Sequence, residues 1–153
     1  MSTQYCIGLI CRIVRGDVSF AYASAINNLM YAMVFIRPNI THAVGVLRRF
    51  MSKQGKKHWT TVKRGFRYLR STSDYGMCYQ GRPRLDRVLD ICGFFDVDWA
   101  RDLDQRRSTS GYVFNLFGGA VSWMSKKQFI VALSTTVAEY MVATHASKEV
   151  VWL

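Results

Sequence analysis

The apolar pattern of this 153-residue chain changes period once, near Gly76, and that change most limits what it can fold into. Upstream, apolar residues recur at helical spacing. Downstream they come in short β-prone runs with period two. The chain therefore reads as a helical segment followed by a mixed one. Its composition, half hydrophobic and a fifth charged, belongs to a globular protein rather than a disordered, collagen-like or disulfide-stapled one.

In the first segment, residues 24–35 are continuously apolar-rich, and Arg37-Pro38 stops them because proline disfavours helix at the residue before it. Asn39 is placed to cap the next helix. Ile40, Ala43, Val44, Leu47, Phe50 and Met51 follow the spacing of one buried face. Gln54-Gly55 breaks that helix, and a third is expected from Lys56 to Arg70, with Trp59, Val62, Phe66 and Leu69 as its apolar stripe. Its other side carries Lys56, Lys57, Lys63, Arg64, Arg67 and Arg70.

Charge is the outlier of the composition. Twenty-one Lys and Arg face ten Asp and Glu, a formal net charge of +11. No acidic residue occurs between Val18 and Ser73, while Arg37, Arg48, Arg49 and Lys53 add to the basic face. A solvated helix face usually mixes signs through i, i+4 pairs. This one does not, so the expected partner is nucleic acid, held through its phosphates. A merely soluble basic face is the plainer alternative, and base-specific reading does not follow.

In the second segment, β-prone runs occur at residues 77–80, 88–95, 111–116, 120–125 and 129–133. Gly81-Arg82-Pro83 and Gly118-Gly119 supply turns, the latter a hairpin signal. Residues 98–110 form a polar loop. Thr136-Val137-Ala138-Glu139 matches a capping box, and a helix is expected from there to the end. The simplest arrangement is an antiparallel meander of three strands with a helix packed on it, an α/β chain of α+β arrangement.

The chemistry, if the chain has any, lies in carboxylates. Asp96 and Asp98 close a strongly apolar strand, and Glu139 opens a helix. Carboxylates so placed could face one divalent-metal site of the kind that cleaves phosphodiesters. Plainer readings stand beside this one: a strand-end aspartate, and a capping acid at the positive end of a helix. Cys6, Cys11, Cys78 and Cys92 form no C-x-x-C pair and no metal cluster with His42, His58 or His145. They read as reduced, mostly buried thiols. No signal peptide or membrane span is recognisable, which points to an intracellular protein, cytoplasmic or nuclear.

Several motifs, in one order, carry a resemblance. They are Tyr22-Ala-Ser-Ala-Ile, Leu29-Met-Tyr-Ala-Met, Arg37-Pro-Asn-Ile, Ala43-Val-Gly-Val-Leu-Arg-Arg-Phe-Met, His58-Trp and Arg67-Tyr-Leu-Arg-Ser-Thr-Ser-Asp-Tyr-Gly. The second half adds Gly93-Phe-Phe-Asp-Val-Asp-Trp-Ala, Arg107-Ser-Thr-Ser-Gly-Tyr-Val-Phe, Val121-Ser-Trp-Met-Ser-Lys-Lys-Gln and Val131-Ala-Leu-Ser-Thr-Thr-Val-Ala-Glu-Tyr. Together they resemble the Pol polyprotein of plant copia-type LTR retrotransposons, from the end of the reverse transcriptase into the ribonuclease H domain.

The resemblance implies three parts. Residues 1–19 stay unassigned, residues 20–75 are similar to the thumb and connection of the transcriptase, and residues 76–153 begin an incomplete ribonuclease H-like fold. It implies Mg²⁺ or Mn²⁺ chemistry on RNA–DNA hybrids, with Asp96 and Glu139 as catalytic and metal-binding carboxylates and Asp98 as a supporting one. RNA, DNA or their hybrid, and the remaining Pol segments, are the implied partners. The family's later metal-binding acids would lie beyond Leu153, so little or no hydrolysis by this chain alone is expected. The alternative is a non-catalytic nucleic-acid-binding module. Departures from the family pattern are Asn39 for its aspartate, Gly65 for a bulky apolar residue and Val137 for an acidic one.

Overall fold

The computed structural model describes residues 18–79 and 91–153. The chain divides into two compact units, Met1–Gly76 and Met77–Leu153.

In the first unit, α1 (Val18–Phe35) leads through a short 3-10 turn (Pro38–Ile40) into α2 (Thr41–Arg48) and then α3 (Lys56–Ser71). Tyr22, Ala25, Ile26 and Leu29 recur at the helical spacing that lines one face, and all four are buried. They meet Ile40, Val44 and Leu47 around α2 and Val62 of α3, with Trp59, Phe66 and Leu69 packed at the margin. Each such large apolar side chain contributes roughly 1.5–3 kcal/mol on full burial. The Tyr22 hydroxyl donates to the Leu47 carbonyl at 3.1 Å, and burial raises its pKa.

Two expectations change around Pro38. Asn39 does not cap the second helix. Ile40 occupies the cap position without a side-chain bond, because the 3-10 turn carries the chain straight into α2, and the Asn39 amide instead donates to the Tyr68 hydroxyl. Arg37 adds nothing to the basic surface. It is 6% exposed, and its guanidinium donates to the Thr72 carbonyl just beyond α3, tying the ends of two helices together.

The third helix matches its expected span. Gly55 caps it in extended conformation, and its N–H donates to His58 Nδ1 at 3.1 Å, which satisfies a donor at the helix start. Gly65 faces Leu29 of α1, and a Cβ built there would lie 3.5 Å from the leucine, an ordinary contact. Gly65→Ala is therefore expected to stabilise this unit by about 0.5–1 kcal/mol. Urea denaturation checks this, and a lowered midpoint would show that the helices cannot take the methyl group.

In the second unit, β1 (Ile91–Asp98), β2 (Thr109–Leu116) and β3 (Gly119–Lys127) form an antiparallel sheet in the order β1-β2-β3, and α4 (Thr135–Trp152) follows. β2 and β3 are joined by Phe117 and Gly118, with φ of 51° and 82°. Positive φ at both central residues is what a tight hairpin of right-handed twist requires. Gly93 pairs with Phe114, and a Cβ on Gly93 would lie 2.3 Å from the Phe114 ring. Only glycine lets that buried ring lie flat across the neighbouring strand.

Two expected strands are absent among the described residues. Residues 77–79 are irregular, although the Tyr79 hydroxyl donates to the Ala120 carbonyl at 2.8 Å; Gln80, the Gly81-Arg82-Pro83 turn and residues 88–90 lie outside the described part. Residues 129–133 are bends and loop, with Phe129 70% and Leu133 92% exposed. Their apolar run does not alternate, and among the described residues no neighbouring strand pairs with it. Cys78 and Cys92 are exposed, not buried, because one is in irregular chain and the other on an edge strand; Cys6 and Cys11 lie outside the described residues.

Candidate functional site

Two surfaces carry the residues singled out from the sequence, one on each unit. On the first, Lys56, Lys57, Lys63, Arg64, Arg67 and Arg70 are all exposed along α3. At 3.6 residues per turn they fill one continuous arc opposite buried Val62, and at 1.5 Å per residue the row is about 21 Å long. None of the six is ion-paired among the described residues, where the two salt bridges are Arg101–Asp98 and Lys127–Asp102. Arg48 and Arg49, at the end of α2, are exposed as well. The charge of the chain is concentrated here. Residues 1–76 hold twelve Lys and Arg against two acids, a net +10, while residues 77–153 hold nine against eight, a net +1.

Several aromatic rings near the stripe are already engaged, while Tyr68 of the same helix is 38% exposed. Lys63 lies over the Trp59 ring at 5.7 Å, and Tyr22 lies against it at 6.0 Å. His58 is stacked on Phe50 at 4.0 Å. The surface thus offers a row of positive charge suited to phosphates, from which base-specific reading does not follow.

On the second unit, Asp96 is the sixth residue of β1, exposed, its Oδ1 accepting the Val97 N–H at 2.8 Å. Asp98 ends the strand and is paired with Arg101 at 3.0 Å. Glu139 lies on α4, also exposed, next to buried Ala138. The helix starts earlier than its capping-box motif suggests. Ser134 is the N-cap, its hydroxyl accepting the Val137 N–H at 3.3 Å, so Glu139 stands in the second turn. Val137 holds the third helical position, where an acid would complete the box.

Two side chains that sequence reasoning missed bring these carboxylates to one end of the unit. Trp99, directly after Asp98, donates its indole N–H to the Ala132 carbonyl at 3.3 Å, two residues before the N-cap. Gln128 is 5% exposed and donates to Ser110 Oγ at 2.8 Å and to the Ala138 carbonyl at 3.1 Å, pinning the start of α4 to the sheet. Polar residues at the end of a strand gave no local signal of such reach. Further along α4, Ser122 Oγ donates to Glu149 at 2.6 Å, and burial together with the Glu149 charge raises the pKa of Tyr112.

Strand alternation separates the acids within that shared end. Tyr112 and Phe114 lie on the face that α4 covers, so Phe95 and Gly93 opposite them do too. Asp96 and Asp98 belong to the other face. Among the described residues no three His, Cys, Asp or Glu side chains converge to hold a metal ion. These carboxylates do not by themselves fit Mg²⁺, which requires a fuller set of hard oxygen ligands. No helix of the described residues is long and apolar enough to cross a membrane.

Fold and site together define a two-unit protein: a basic helical unit, and a meander-plus-helix unit with acids gathered at one end. Comparison with known proteins places that combination. The chain is 52% identical over 132 residues to the retrovirus-related Pol polyprotein from transposon TNT 1-94 of Nicotiana tabacum, which covers 86% of this chain and 10% of that one. It is 49% identical over 132 residues to secreted RxLR effector protein 161 of Plasmopara viticola, across 90% of that protein, and 36% identical to the Pol polyprotein from transposon RE2 of Arabidopsis thaliana. The chain is thus homologous to a segment of retrovirus-related transposon Pol polyproteins. It spans about a tenth of the length of the polyproteins it matches. No family model and no solved structure matches it.

Proposed function

We propose that this chain is the part of a copia-type Pol polyprotein that joins the end of the reverse transcriptase to its ribonuclease H domain, and that it holds nucleic acid on the exposed face of α3. The observation that carries the binding role is the six-cation stripe without an ion-pair partner among the described residues. A duplex segment as long as the stripe presents about twelve phosphate charges, more than enough to engage every cation. Binding of this kind releases counterions and reads no sequence.

Asp96 and Glu139 are the carboxylates this region would lend to hybrid cleavage. Their positions, one near the end of β1 and one near the start of α4, support that reading. The described residues bring no third ligand to them, so the chain on its own binds rather than cuts.

The test is a labelled RNA–DNA hybrid incubated with the chain in Mg²⁺ or Mn²⁺, with Asp96→Asn and Glu139→Gln alongside. Salt-sensitive binding without cleavage is expected, and Asp96→Asn should bind as well as the parent or slightly better, since one repulsive charge is gone. Cleavage abolished in both variants would overturn the binding-only role. Absence of salt-sensitive binding would overturn the stripe as a nucleic-acid surface.

A further inference from the structure

Among the Phe, Tyr and Trp residues of α3, Tyr68 alone is exposed, while Trp59 and Phe66 pack against the core. Its surroundings leave the ring open. Residues three and four positions away are its neighbours on a helix, and here they are Arg64, Gly65, Ser71 and Thr72. Three of these are too small to cover a ring, and the fourth is a cation. The Ser71 and Thr72 hydroxyls are turned onto the Tyr68 carbonyl, at 3.0 and 2.9 Å. A helical tyrosine leans back over the preceding turn, so the ring lies towards Arg64 and Gly65. Its hydroxyl accepts an N–H of the Asn39 amide, which holds the far end of the ring in place.

Ring and cations together form two rows. At about 100° per residue, Lys56, Lys63, Arg67 and Arg70 fall within an arc of roughly 60°, a nearly straight line along the helix. Lys57, Arg64 and Tyr68 follow a second line, about 110° round from the first. Helical neighbours at i and i+4 have Cβ atoms about 5–6 Å apart, which places Arg64 beside the Tyr68 ring. A row of cations matches a row of phosphates, and an open ring beside it matches a base whose face is free. Bases inside a duplex cover one another, whereas those of a single strand can turn out and stack on a side chain.

We infer that α3 takes single-stranded nucleic acid, with the backbone along Lys56, Lys63, Arg67 and Arg70 and one base stacked on Tyr68. Arg64 then holds the phosphate next to that base. This rests on the phosphate-binding reading of α3 and adds to it the form of nucleic acid that fits best. A duplex binds through charge alone. Every base has a π-face, so stacking on Tyr68 favours unpaired strands over paired ones without selecting a sequence.

Fluorescence anisotropy of the full chain tests this with three labelled probes of equal length: a natural single strand, a single strand of abasic nucleotides, and a duplex. The parent chain should hold the natural strand about fivefold or more tightly than the abasic one, which carries the same charge. Tyr68→Leu should abolish that difference and leave duplex affinity within about twofold. Tyr68→Phe keeps the ring and loses only the Asn39 bond, so it should retain the difference. The abasic comparison needs only the parent chain, and so holds whether or not the variants fold. Equal binding of the natural and abasic strands by the parent would overturn the inference, as would a preference that survives in a folded Tyr68→Leu. Either result, with affinity that still falls with salt and in Lys63→Gln/Arg67→Gln, removes the stacking role and leaves the phosphate surface standing. Failure of all three probes to bind would overturn both.

Discussion

Replacing Lys63, Arg64, Arg67 and Arg70 with glutamine is expected to lower affinity for a duplex or hybrid on the order of a hundredfold or more at low salt. The four side chains are exposed and none contributes to the buried cluster of the first unit, so the fold should survive. Glutamine has nearly the helix propensity of lysine and arginine, which keeps α3 intact. Each phosphate contact contributes about 0.9 to the slope of log affinity against log salt, so the variant's slope should fall by between about 3 and 4. Fluorescence anisotropy across a salt series measures both quantities. Equal weakening across unrelated sequences is expected if the four cations engage phosphates, which carry no sequence information. A fivefold loss or less, with an unchanged slope, would move the binding surface elsewhere. Arg48 and Arg49 would be the next cations to test, whereas Arg37 would not, since its charge is spent on the Thr72 carbonyl.

How much of this was legible in the sequence depends on how local its cause is. The span of α3 could be read because Gly55 breaks the chain before it and one apolar stripe runs along it. The buried face of α1 could not. Tyr31, Val34 and Phe35 are as apolar as Tyr22, Ile26 and Leu29, yet they are about half exposed, and only the position of α2 and α3 decides which side is covered. The basic stripe was legible as a pattern, while the burial of Arg37 was not, because its partner lies 35 residues away. In the second unit the hairpin was announced by Gly118-Gly119, although its turn residues are Phe117 and Gly118 and Gly119 already opens β3. Residues 129–133 misled, since bulky apolar residues favour strands only where a neighbouring strand exists to pair with them. The start of α4 shifted to Ser134 because Thr136 and Ser134 offer the same chemistry, and the tertiary bonds of Gln128 select between them. Asp96 and Glu139 were placed correctly on their elements, but the faces they occupy emerged only from the register of β1 on β2.

One buried side-chain contact spans that register, and the largest stability effect is expected there. Phe114, the sixth of the eight residues of β2, is 3% exposed, its ring lying over Gly93 of β1 and 5.4 Å from the Tyr112 ring. Phe114→Ala should cost about 3–5 kcal/mol, the loss of a buried aromatic plus the cavity it leaves. Gly93→Ala attacks the same contact from the other side. A methyl group 2.3 Å from the ring carbon cannot be accommodated without moving the ring, and overpacking of this kind costs about 1–3 kcal/mol. The two effects share a cause, so they should not add. In the double variant Gly93→Ala/Phe114→Leu the smaller side chain makes room for the methyl group, and its stability should exceed the sum expected from the single changes by about 1 kcal/mol or more. Strict additivity in urea denaturation would mean that the Gly93 position tolerates a side chain by backbone shift. In that case β1, and with it Asp96, would be held by its hydrogen bonds to β2 rather than by the ring.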